Sequence, residues 1–139
     1  MIFNTLVSVL AIAVAASSTP IQPQQLDVIT PHITSPVEND IWVPGENRTV
    51  TWNTTEIPPA FKNNTGKLVL GYYTTTKDDQ GHWQTSENLN NTSPLAQNFV
   101  LGDGCANITV PHVPPRSTYI VVLFGDSGNA SPQFKIAEK

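Results

Sequence analysis

Pro114-Pro115-Arg116-Ser117-Thr118-Tyr119-Ile120-Val121-Val122-Leu123-Phe124 is the stretch whose reading decides the fold of this chain. The paired prolines stop any helix from running into it, and the residues after Ser117 are β-branched, aromatic or aliphatic. Thr118 to Phe124 therefore reads as the most apolar strand. Tyr119 stands near its start, directly after the prolines. That is the place of a tyrosine corner, in which the hydroxyl bonds back to upstream backbone and pins the end of a β-sandwich.

Similar runs recur on either side, separated by Pro, Gly and Asn clusters. Thr49 to Asn53 alternates, with Val50 and Trp52 on one face; Trp52 is expected in the core. Lys67 to Thr75 is the longest run and sets Leu68, Leu70 and Tyr72 on one side. His82 to Thr85 follows the turn Asp78-Asp79-Gln80-Gly81. His32 to Ser35 and Ile41 to Val43 form a first strand broken around Pro36 to Asp40. Asn98 to Leu101 and Ala106 to Val110 flank Gly102-Asp103-Gly104, which reads as a tight turn. Gln133 to Ile136 closes the series after the connection Gly125 to Pro132. Past the N-terminal segment, no window sustains an apolar period of 3.6 residues. About seven to nine short strands in about 110 residues predict an all-β domain, an antiparallel sandwich of immunoglobulin or fibronectin-III type. Its expected core is Val50, Trp52, Leu68, Leu70, Tyr72, Ile108, Val110, Tyr119, Val121, Leu123 and Phe134.

The chain is divided into a signal peptide at 1–16, an extended polar lead-in at 17–27 and the domain at 28–139. Leu6 to Ala16 is apolar except for Ser8. At about eleven residues it suits a signal-peptide core and is too short to span a bilayer. Ala13, Ala15 and Ala16 are the small residues that signal peptidase prefers, although no Lys or Arg precedes the run. Pro20 and Pro23 favour an extended lead-in.

Behind that segment lie seven Asn-x-Ser/Thr acceptor sites, at Asn47, Asn53, Asn63, Asn90, Asn91, Asn107 and Asn129. None has Pro in the middle, so each is open to N-glycosylation, and a bulky glycan needs an outer surface. The expected location is secreted, extracellular or cell-wall associated.

Composition narrows the classes further. The net charge is -4 and the pI about 5.1, and the seven basic residues are scattered singly. A nucleic-acid partner is not expected, because no basic patch exists to displace counterions. Cys105 is the only cysteine, so no intrachain disulfide forms. It is expected to be buried as a small hydrophobe.

Catalytic patterns are thin. Gly125-Asp126-Ser127-Gly128 spells the nucleophile motif of chymotrypsin-like proteases, but it falls between two strands, where these residues are ordinary turn formers. His32, His82 and His112 lie far apart, without metal-ligand spacing. Spacing singles out no pair among the eleven acidic residues for glycoside hydrolysis. No catalytic residue, metal site or cofactor is assigned, and the chain is expected not to be an enzyme.

Read in order, several segments form a pattern: Ile33-Thr34-Ser35-Pro36, Ile41-Trp42 through Gly45, Thr49-Val50-Thr51-Trp52, Leu68-Val69-Leu70, Ile108-Thr109-Val110-Pro111, Tyr119-Ile120-Val121-Val122 and Ser131-Pro132-Gln133-Phe134-Lys135-Ile136. This series resembles the yeast cell-wall-synthesis N-terminal domain. That family includes β-1,6-glucan assembly proteins and Ser/Thr-rich glycosylphosphatidylinositol-anchored wall proteins of fungi. The resemblance spans Val28 to Ile136. It implies an immunoglobulin-like fold and a fungal surface or wall location, and it supplies no catalytic residues. The chain departs from the anchored members, having no Ser/Thr-rich stalk and ending in charge from Phe134 to Lys139. No lipid anchor and no membrane span are expected.

Two functions follow. One is a non-enzymatic wall glycoprotein, expected to be a monomer, that contributes to β-glucan assembly through contact with wall polysaccharide or wall proteins. The other is a carbohydrate-binding module stacking sugar rings on exposed aromatics, with Tyr73, opposite in face to Tyr72, and Trp83 as its contacts. The protein secreted by its native host is expected to lose mass on enzymatic deglycosylation. An unmodified mature chain overturns the secretory reading.

Overall fold

Residues 29, 31–125 and 127–138 are described in the computed structural model of the protein. The expected signal peptide and lead-in lie outside them. The described chain is all-β, with ten strands and three short 3-10 turns in two sheets. The strands are β1 (Ile33–Ser35), β2 (Ile41–Trp42), β3 (Asn47–Trp52), β4 (Thr65–Lys77), β5 (Trp83–Leu89), β6 (Ala96–Val100), β7 (Cys105–Thr109), β8 (Arg116–Phe124), β9 (Gly128–Ala130) and β10 (Phe134–Ile136). The smaller sheet has the order β1-β3-β7. The larger has the order β2-β10-β8-β4-β5, with β6 added to β4 and β9 to β8.

One apolar cluster joins the two sheets, as period-2 alternation requires. Val50, Trp52, Ala106 and Ile108 enter it from the smaller sheet. Leu68, Leu70, Tyr119, Val121, Leu123, Phe134 and Ile136 enter from the larger. Ten of the eleven expected core residues are buried. Tyr72 is half-buried and packs at the rim. Ile29, Ile33, Trp42, Ile57, Leu101 and Val110 complete the cluster, and Trp42 and Phe134 pack with ring centroids 4.5 Å apart. Val69, Ile120 and Val122 are buried on the other face of β4 and β8. The centre of the larger sheet is thus apolar on both sides, which is why Thr118 to Phe124 reads as a continuous apolar run.

Four local expectations need correction. The two parts of the first strand belong to different sheets: β1 pairs with β3, and β2 with β10. The turn between them redirects the chain, with Asn39 at φ 67° and the Asp40 carboxylate accepting from the Val37 amide at 3.0 Å. The β2–β10 pair is parallel, so the larger sheet is not wholly antiparallel. Gly102-Asp103-Gly104 is no hairpin turn, because β6 pairs with β4 while β7 pairs with β3. The 3-10 turn Leu101–Asp103 and the left-handed Gly104 carry the chain across the core instead. There the buried Trp52 indole donates to the Leu101 carbonyl at 2.8 Å. Finally, Gly125 to Pro132 is not all connection. Gly128–Ala130 forms β9 against β8, its small polar residues giving no apolar alternation to reveal it.

The Tyr119 hydroxyl donates to the Pro114 carbonyl at 2.6 Å, five residues upstream, as the sequence predicts. Burial pushes its pKa up, and the neighbouring Arg116 partly offsets that rise. Tyr119→Phe leaves that carbonyl without its partner and is expected to cost about 1–3 kcal/mol. Denaturant unfolding of the two proteins measures it, and an unchanged midpoint shows that the bond does not hold this end together.

Candidate functional site

Strand β4 outruns its central partner. Its register with β8 ends at Tyr72↔Tyr119, and residues 73–77 pair with β5 alone. The result is a two-stranded arm leaving the body of the larger sheet. An isolated hairpin is marginally stable in water, so this one needs local support. Its turn supplies some: the Asp78 carboxylate accepts from the amides of His82 (2.8 Å) and Gln80 (2.9 Å) and from the Gln84 side chain (3.2 Å). The His82 amide bond, ahead of the others, holds the Asp78 carboxyl below its ordinary range. That bonding is in place above the ordinary carboxylate range and is lost as the pH falls through the lowered value. Gly81 takes φ 84° at the turn. At the arm's base, a Cβ on Gly71 would collide with Leu89, so only glycine lets Leu89 lie across this strand.

The arm brings together the two aromatics singled out from the sequence. Tyr73 and Trp83 stand on the same face, outward from the core, because Tyr73 pairs with Glu87 and Trp83 with Lys77. Four residues separate those rows, which is ~14 Å at ~3.4 Å per residue. Trp83 is 69% exposed and contributes little to the core. Lys77 Nζ lies 4.6 Å from its ring centroid and steadies the indole without enclosing it. Tyr73 is half-buried. Burial raises the pKa of its hydroxyl, and the hydrogen-bonded Glu87 carboxylate raises it further. This Tyr–Glu pair places a donor and an acceptor beside the rings. An exposed indole, a phenol and a carboxylate along one ribbon suit a ligand with apolar faces and a hydroxylated rim.

Other sequence candidates stay apart. His32 bonds Glu56 at 2.9 Å, His82 lies 3.5 Å from Asp78, and His112 stands near Gly45. Among the described residues, no three of His, Cys, Asp and Glu gather as a metal site. Ser127 Oγ is buried without a hydrogen-bond partner among them, while Asp126 lies outside the described residues. Cys105 corrects the expectation of burial. It is exposed on the outer face of β7, since Ala106 and Ile108 take the inward positions. No described helix is long and apolar enough to cross a membrane.

The acceptor asparagines favour the smaller sheet. Asn47 and Asn107 are exposed on its outer face, each opposite the other's threonine. Thr109 donates to Asn47 Oδ1 at 3.1 Å and Thr49 to Asn107 Oδ1 at 2.8 Å. Asn53 caps a 3-10 turn through its own Oδ1, accepting from the Thr55 amide at 3.1 Å. Asn63, Asn90 and Asn91 are exposed in connections. The contacts of Asn47, Asn53, Asn90 and Asn107 with described residues use Oδ1 and not Nδ2, the atom a glycan attaches to. A cleft of about 780 Å³ opens over Asn47, Thr49, Asn107 and Thr109, with Pro94 and Leu95 on its far wall. Asn129 differs: it is half-buried, and its Nδ2 donates to the Pro31 carbonyl at 2.7 Å. Glycopeptide mass mapping of the protein expressed through a secretory host should find the lowest occupancy at Asn129. Occupancy there equal to that at Asn47 contradicts this ranking.

Comparison of the chain with family profiles, with curated proteins and with solved structures finds no match.

Proposed function

We propose that this chain is a secreted, non-enzymatic fungal wall glycoprotein of immunoglobulin-like type that binds wall polysaccharide and so contributes to β-glucan assembly or organisation. The observation that carries the binding is the arm, which holds Trp83 and Tyr73 on one outward face with the indole open to solvent. Trp83 is the one aromatic among the exposed large hydrophobic residues described, and its open indole face is the surface available for stacking. The immunoglobulin-like assignment is supported by the bond from Tyr119 to Pro114, the contact of a tyrosine corner, and by two sheets sharing one core. The order of the family-like segments along the chain supports the wall setting.

Ring stacking with adjacent hydroxyl contacts accounts for the proposed binding. Sugar rings lie on Trp83 and Tyr73, and the Glu87 carboxylate accepts from ring hydroxyls. The extent of the arm suits an extended chain more than a single sugar. Such contacts are individually modest, so repetition along a polymer supplies the avidity.

Trp42 and Trp52 are 2% and 4% exposed, so a ligand-induced change in tryptophan fluorescence reports on Trp83. Titration with β-1,3- and β-1,6-gluco-oligosaccharides is expected to saturate that change for at least one linkage. Trp83→Ala, followed by calorimetry, should weaken binding by about 1 kcal/mol or more, roughly fivefold. Undiminished affinity in that variant, or no binding of either glucan, refutes the proposal. Release of soluble products from the glucans would make the protein an enzyme.

A further inference from the structure

The reverse side of the arm's base carries a different feature. A cleft of about 390 Å³ opens where β4, β5 and β8 meet the segment before Arg116. Its volume is in the range of small-molecule sites. Tyr72 and Tyr119 form one wall, packed edge to face with centroids 6.1 Å apart. Leu89 and Val113 supply apolar surface, and Asn88 a side-chain amide. Arg116 lies over Tyr72, its guanidinium carbon 4.2 Å from the ring centroid.

Arg116 is the only charged residue lining this cleft among the described residues. None of the ion pairs among them includes it; those pairs join His32 to Glu56, Arg48 to Glu46 and His82 to Asp78. Its neighbours are a π face and the Tyr119 hydroxyl, and neither neutralises the charge. A half-buried guanidinium over a tyrosine ring, with one contact to the Tyr119 hydroxyl, keeps further donors of its planar fork, the geometry that suits a carboxylate. The chain carries a net charge of -4, so general electrostatic attraction does not bring anions here. Selection must be local.

We propose that this cleft is a second binding site, specific for a carboxylate carried on a body about one sugar ring or one amino-acid residue in size. Arg116 holds the carboxylate through paired N–H donors. The body sits against Leu89 and Val113, and the Asn88 side-chain oxygen is available to a donor on it; the Asn88 Nδ2 is already shared among Tyr72, Thr74 and Ser86. Because Tyr72 and Tyr73 point to opposite faces of β4, the site is separate from the Trp83 platform and does not depend on glucan binding there.

The test is an NMR titration of the whole secreted domain with three probes: methyl glucuronide, its neutral counterpart methyl glucoside, and N-acetyl-leucine. Both carboxylates are expected to shift the Arg116 side-chain and Tyr72 ring signals, and the glucoside is not. The stronger of the two tells whether the natural source is an acidic sugar or a peptide end. Arg116→Gln should weaken carboxylate binding about tenfold or more, and Arg116→Lys, which keeps charge without the fork, by less. Trp83→Ala should leave it unchanged. Unfolding midpoints and the signals of the buried Trp42 and Trp52 check that each variant is folded. Equal binding of glucuronide and glucoside, undiminished carboxylate binding in Arg116→Gln, or no binding of either carboxylate up to its solubility limit overturns the proposal.

Discussion

The register between β4 and β8 is the constraint on which the rest of this molecule depends. Leu68↔Leu123, Leu70↔Val121 and Tyr72↔Tyr119 form one side of that ladder, and Val69↔Val122 and Gly71↔Ile120 the other. A slip of one residue would turn every one of these side chains to the opposite face. Such slips are usually blocked because one face is polar; here both are apolar at the centre. The ends therefore decide. Tyr119 is anchored to Pro114 at one end, and at the other Gly66 tolerates only a hydrogen beneath Phe99 and Leu101. Because β4 continues past Tyr72, the same register also decides which aromatics the arm presents outward.

The two sheets have divided their outer surfaces by chemistry. The smaller sheet carries a polar ladder, Thr34 to Thr51, Thr49 to Asn107 and Thr109 to Asn47, closed by side-chain hydrogen bonds at 2.6, 2.8 and 3.1 Å. Small hydroxyl and amide groups satisfy each other there and leave a hydrated face on which glycans cause no desolvation cost. No acceptor asparagine stands on the outer face of the larger sheet beside Tyr73 and Trp83. Sugar added to this protein would thus leave that face open.

Legibility in the sequence followed side-chain period closely. Where alternation was clean, as in Thr49 to Asn53 and Thr118 to Phe124, both the strand and its buried face could be read. The bond from Tyr119 back to Pro114 was legible because prolines upstream leave few ways for a chain to enter a strand. What failed to show was whatever depends on partners distant in sequence. The parallel β2–β10 pair joins segments more than ninety residues apart in a chain of 139, and two residues of β2 carry no period at all. Leu101 looked like a strand end, yet its burial follows from the Trp52 indole seeking a carbonyl. Cys105 was assigned by residue type to the interior, while its strand parity, set by Ala106 and Ile108, places it outside. Tyr73 and Trp83 are both expected to be exposed, yet only Trp83 is and Tyr73 is half-buried, and that they share a face needed the hairpin register.

The cleft around Arg116 shows why a site can be invisible in sequence even when every residue of it is known. Arg116 stands in the strand-entry segment and reads there as a solvated charge before a hydrophobic run. Its character changes only because β4 brings Tyr72 beneath it and β5 brings no acid opposite it. Tyr72 and Tyr73 are neighbours in the chain, yet strand geometry sends one to this cleft and the other to the platform. The backbone between them is held on both flanks, Thr118 Oγ1 donating to the Tyr73 carbonyl at 2.9 Å. The two faces share no side chain, so any coupling between a ligand on one and a ligand on the other would have to pass through the β4 backbone itself.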